Sequence, residues 1–214
     1  MTEAEWLASR SVDEMFEFIQ PTVSARKARL LGCACVSWMW QWGLEEAVPE
    51  AVYIAEAFAD NAATDEELSR AGNDVRALRL EFEESWRPLP RAYEVIECLL
   101  SRRDDHGVIG ELYTFAADMN VLDEPEWAKM SEFVREIFGN PFRPVSLDPK
   151  WLTTDVVALA RGIYDERAFD RMPILADALQ DAGCDSDAIL NHLRDTSATH
   201  VRGCWALDLV LGKE

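Results

Sequence analysis

The stretch Leu30 to Trp42 (LLGCACVSWMWQW) constrains the fold more than any other part of the chain. It holds Cys33, Cys35, Trp38, Met39, Trp40 and Trp42 and no charged residue. Drawn as a helix it is apolar on every side, and such a helix is buried. A membrane span needs about 20 apolar residues, so this run is too short to cross a bilayer. Each Trp ring brings about 150–250 Å² of surface to bury. The rest of the chain must therefore supply a core around this helix.

The surrounding sequence supplies helices. Glu3 to Ser9 suits a short first helix around Trp6 and Leu7. Ser11 and Glu14 have capping-box spacing, with Met15, Phe18 and Ile19 behind them. Ser24 starts a helix whose first turn is basic (Arg26, Lys27, Arg29) and which runs into the Trp stretch. Leu44 to Asp60 follows, with Val48, Val52 and Ala55 on one face. Thr64 and Glu67 form a second capping box. Behind it Leu68, Ala71, Val75, Leu78 and Phe82 alternate at three and four, a seam for pairing with another helix.

Pro88 and Pro90 make a break, and helices are expected over Pro90 to Arg102, Val108 to Met119 and Glu126 to Phe138. Gly139 to Pro149 carries three prolines and reads as an ordered arm. Thr153 or Thr154, Asp170 (with Pro173 behind it) and Asp185 or Ser186 mark three more helix starts. His200 to Leu211 reads as a closing helix. Strand signals are nearly absent. The expectation is an all-α, multi-helix bundle of about eleven helices around the Trp-rich buried helix. Residues 1–138 would form an N-terminal helical bundle with a C-terminal helical subdomain, 139–214, packed on it, or the two would be one domain, 1–214.

Charge narrows the partners. The 214 residues hold 21 Lys and Arg against 40 Asp and Glu, a net charge of -19. Phosphate backbones and anionic lipid repel such a chain, which argues against direct nucleic-acid or membrane binding. A protein partner remains, and by charge a basic one. No Lys or Arg falls between Leu30 and Ser69, where Glu45, Glu46, Glu50, Glu56, Asp60, Asp65, Glu66 and Glu67 cluster. A solvated face explains this window best, and a docking face for a basic partner is the alternative. The opening MTEAEWLASR lacks the basic start and apolar centre of a signal peptide. With five cysteines and no such signal, reduced thiols and a cytoplasmic location are expected.

Cys184, His192, His200 and Cys204 are all zinc-ligand types within the last thirty-one residues. His200 and Cys204 are four apart and would share a helix face. His192 would come from the preceding helix and Cys184 from the turn before it. Their spacing matches no zinc-finger pattern. Core cysteines beside hydrogen-bonded histidines are the plainer explanation. Cys33 and Cys35 are two apart, point to different sides of a helix and suit core packing. Asp104-Asp105-His106 before Gly107 suits a turn. The arginines of the C-terminal third, among them Arg167, Arg171, Arg194 and Arg202, suit ion pairs at helix ends. There is no G-x-S-x-G, phosphate-cradling glycine loop or H-E-x-x-H, so no catalytic residue is assigned and enzymatic activity is left open.

The segments MTEAEWLA, RKARLLGCAC, FGNPFRPVSLDPKWLT, ARGIYDERAFDRMPILADALQDAGCD and HVRGCWALDLVLGKE resemble a planctomycete (Gemmata-type) family of paralogous proteins with no assigned activity. The resemblance covers most of the chain and is weakest from Asn61 to Asp123. Relatives carry Cys and Arg in place of Val36 and Ser37, and Cys in place of Leu193, which would weaken any thiol site there. The resemblance implies a bacterial cytosolic protein and no functional residues. Two functions are therefore carried forward. The first is a non-enzymatic protein-interaction module. The alternative is a zinc-binding protein or metal-dependent enzyme using Cys184, His192, His200 and Cys204.

Overall fold

The computed structural model describes residues 1–39, 47–81, 88–101, 107, 110–112, 114 and 125–213, and their side chains except at 47, 81, 88–92 and 125–127. The chain is all-α, and among the described residues there is no strand. It forms two compact units, Met1–Val134 and Arg135–Glu214. The 139–149 arm lies wholly inside the second. None of the described helices is long and apolar enough to cross a membrane.

The first unit begins with α1 (Glu3–Ala8) and α2 (Val12–Ile19). Thr2 and Glu5 form a reciprocal capping box at α1, and Trp6 is fully buried. The box expected from Ser11 and Glu14 does not form. The Ser11 N–H that Glu14 would accept donates instead to Ser9 Oγ at 3.0 Å. In α3 (Ala25–Met39) every residue from Ala28 to Val36 is buried, as an apolar-all-round helix requires. Ser37 is exposed, Trp38 is half-buried, and Trp40 and Trp42 lie outside the described residues.

The basic first turn of α3 points inward. Arg26 pairs with Asp60 at 2.8 Å. Buried Arg29 donates to the Leu99 and Ser101 carbonyls and stacks 4.9 Å from the Phe58 ring. A guanidinium there neutralises the carbonyl end of the helix that closes at Leu99.

Helix α4 (Ala47–Ala59) buries Val48, Val52 and Ala55, and α5 (Asp65–Glu81) starts at the Thr64–Glu67 capping box. The α5 seam is used within the unit. Leu68 and Val75 are buried as α5 packs on α4 and on α6 (Pro88–Leu99). Phe82 and Trp86, which would extend it, lie outside the described residues. The acidic window is not one solvated face either, since Glu56 and the Asp60 carboxylate are buried while Asp65, Glu66 and Glu67 are exposed. Of the expected Val108–Met119 helix, residues 110–112 and 114 are described and helical.

The helix α7 (Pro125–Phe138) ends in the second unit. There follow a 3-10 turn at Pro149–Trp151, α8 (Thr154–Glu166), α9 (Met172–Asp181), α10 (Asp187–Arg194) and α11 (Trp205–Leu211). Val156, Ile163, Met172, Leu175, Leu179, Ile189, Leu193, Leu207 and Val210 fill the core. Val145 and Leu147 of the arm lie against it, while Phe142 stays at the surface. Thr153 caps α8 through the Val156 N–H. Asp170 caps nothing: it sits in a 3-10 turn at Phe169–Arg171, and α9 starts after it with Pro173 in its first turn.

The C-terminal arginines are held one by one. Arg171 meets Glu166 at 3.1 Å, Arg194 meets Asp177 at 2.6 Å, and Arg202 stacks on Tyr164 at 4.5 Å.

Candidate metal centre

Three of the four ligand-type residues expected from the sequence meet in the second unit, and a glutamate joins them. Glu136, His192, His200 and Cys204 each offer one ligand atom, and those atoms lie within 4.8 Å of one another. His192 Nε2 is 3.2 Å from Cys204 Sγ and 3.4 Å from Glu136 Oε2. His200 Nδ1 is 2.9 Å from Glu136 Oε1. The two imidazoles meet edge to face, centroids 5.1 Å apart.

Three separate segments bring these groups together. Glu136 sits on the last turn of α7, which stops at Gly139 (φ +65). A Cβ at Gly139 would lie 3.1 Å from the Trp205 ring, so that ring packs on bare backbone. The same ring lies 4.9 Å from His192, in the last turn of α10. One tryptophan thus buttresses both the end of α7 and one imidazole.

His200 belongs to the loop between α10 and α11, and Cys204 is the N-cap residue of α11. The expected His200–Leu211 helix begins only at Trp205. Cys204 N–H donates to Val201 O at 3.0 Å across a turn whose third residue, Gly203, has φ +91. A side chain resists that backbone, and glycine at this turn position permits it. His200 and Cys204 therefore converge through a turn and not along a helix face.

Cys184 is not one of the converging ligands. It follows Gly183 at the end of α9, where Cys184 N–H donates to Leu179 O and Gly183 N–H to Gln180 O. That is the paired bonding of a Schellman motif, which points the residue after the glycine at the helix's own apolar face. Cys184 accordingly lies buried in the core.

The surroundings favour a cation. Burial, and then the neighbouring His200, lower the pKa of His192 against the pull of Glu136. A neutral imidazole has a lone pair to offer. Burial raises the Cys204 thiol well above its ordinary value, and the Glu136 carboxylate raises it further. A divalent cation reverses that balance by stabilising both anions. His200 Nε2 is buried with no hydrogen-bond partner among the described residues, while its Nδ1 is the nitrogen that faces Glu136.

A cysteine–histidine nucleophile fits less well. Such a relay places the thiol and the orienting carboxylate on opposite ring nitrogens. Here both approach Nε2 of His192, and Cys204 is fully buried, closed to a substrate. Ligands about 2.0–2.3 Å from a tetrahedral ion are about 3.3–3.8 Å from one another, which the His192 contacts approach.

The thiols of the first unit lie apart from this cluster. Cys33, Cys35 and Cys98 are buried and form no disulfide, and burial pushes Cys35 up to about 12. Asp104, Asp105 and His106 lie outside the described residues. Comparison of the chain with family models, curated proteins and solved structures finds no match.

Proposed function

We propose that this chain is a zinc-binding protein that holds one ion through Glu136, His192, His200 and Cys204. The observation that carries the proposal is the convergence of four ligand-type atoms from three chain segments within 4.8 Å. One thiolate, two imidazoles and one carboxylate are a donor set suited to zinc. With four protein ligands the coordination shell is closed, which suits a structural ion better than a catalytic one. Metal analysis of the purified full chain tests this. One zinc per chain, released by chelator, is expected. A chain that takes up no zinc on reconstitution would refute it.

A second reading concerns the Met1–Val134 unit, which we propose docks a basic protein. Exposed Asp65, Glu66 and Glu67 favour it, as do Tyr53 and Leu80, each 57% exposed. Affinity that falls steeply with salt would support it, and affinity unchanged by salt would exclude it. A reducing, cytoplasmic setting accords with five buried cysteines, none of them in a disulfide.

A further inference from the structure

We infer that Trp205 is the positioning residue of this site: its indole ring, and not a hydrogen bond, fixes the plane of His192 and the end of α7 that carries Glu136, and so sets how tightly zinc is held. The inference rests on the zinc reading above and adds to it a residue that binds no metal.

A metal-binding imidazole is ordinarily oriented through its second nitrogen, which donates to a carboxylate or carbonyl. His192 is held differently. Both of its polar contacts, to Cys204 Sγ and to Glu136 Oε2, fall on Nε2. Among the described residues no hydrogen bond reaches its Nδ1. What remains to fix the ring plane is ring packing. His200 meets it edge on, and His200 is itself a ligand. The Trp205 ring lies against it with centroids 4.9 Å apart and planes tilted by 45°.

The same ring bears on the carboxylate through the backbone. Gly139 N–H donates to Arg135 O at 2.8 Å and closes the turn that holds Glu136. Bare backbone at Gly139 lets the indole in, since a Cβ there would stand 3.1 Å from Trp205 Cγ. Trp205 also directly follows Cys204 in the chain. The indole is half-buried and packed on the core, into which Ala206, Leu207 and Val210 carry α11. It is therefore a fixed wall, rigid and flat. Three of the four ligands are tied to it: His192 by ring contact, Glu136 by the helix end and Cys204 by the peptide bond. Ligands whose supporting groups are lost bind metal less tightly, because their lone pairs no longer converge.

Zinc affinity of the full chain, measured by competition with a chromogenic chelator, tests the inference. Trp205→Leu should weaken binding about 10–100-fold. Trp205→Phe keeps a flat face at the contact and should recover most of that loss. Cobalt(II) bound in place of zinc gives a second readout, which a role in stability alone would not move. Its visible bands should shift in Trp205→Leu and hold their positions in Trp205→Phe. If Trp205→Leu does not fold, Trp205→Met takes its place with the same expectation. An unchanged affinity and cobalt spectrum in the aliphatic variant, or equal losses in the aliphatic and Phe variants, would overturn the positioning role and leave the zinc site standing. A chain that binds no zinc would overturn both.

Discussion

His200 Nδ1 lies 2.9 Å from Glu136 Oε1, although 64 positions separate the two residues. This contact joins the end of α7 to the loop before α11 and makes a cluster out of residues that are scattered in sequence. It also replaces Cys184 with a carboxylate in the ligand set.

That replacement separates the two C-terminal cysteines. Cys204→Ala should abolish zinc binding. Cys184→Ala should keep one zinc per chain and cost about 1 kcal/mol of stability through lost core packing. Zinc content and urea midpoint, measured on both variants, check this. Loss of zinc in both variants would restore the ligand set expected from the sequence.

Gly32 marks the close approach of α3 to α6. A Cβ there would run into the side chain of Leu99, which is fully buried. Gly32→Ala should therefore destabilise the chain by about 1–3 kcal/mol. Leu99→Val should recover part of that loss in the double variant, giving a coupling that urea unfolding of all four chains measures. Additive effects would mean that α3 and α6 do not meet at this point.

Asp13 gives a pH dependence. Its carboxyl is held above the ordinary value by burial first and then by the charges of Glu17 and Glu14. The folded state therefore holds this proton more tightly than the unfolded chain, and the charged form opposes folding. The opposition is full above the folded pKa, fades as pH falls through it, and is gone below the unfolded value. Asp13→Asn should raise the urea midpoint at about pH 7 and give no gain near pH 3. An equal gain at both pH values would remove the charge from the explanation.

The fold was largely legible from short-range signals. The Thr64–Glu67 box, Thr153 as a cap and burial of the Leu30–Val36 part of the Trp-rich stretch rest on neighbours three or four residues apart, and these hold. The Ser11–Glu14 box failed because Ser9, two residues away, took the same N–H. At the candidate metal centre His192, His200 and Cys204 were legible by residue type. Their arrangement was not, because Gly203 turns the chain where the i,i+4 spacing suggested a helix. Cys184 misled because type alone counted, whereas Gly183 before it marks a helix-end packing position. Glu136 is one of 40 acids, and no spacing singles it out. The trace it leaves is its place beside Phe133 and Ile137, at the edge of a buried helix face.

The central claim is a zinc ion held by one sulfur, two imidazoles and one carboxylate. Zinc K-edge absorption on the full chain measures that shell directly. The account predicts four-coordinate zinc with one sulfur at about 2.3 Å and three nitrogen or oxygen ligands at about 2.0–2.2 Å. A six-coordinate shell of light atoms with no sulfur would contradict it, since Cys204 would then have no part in binding.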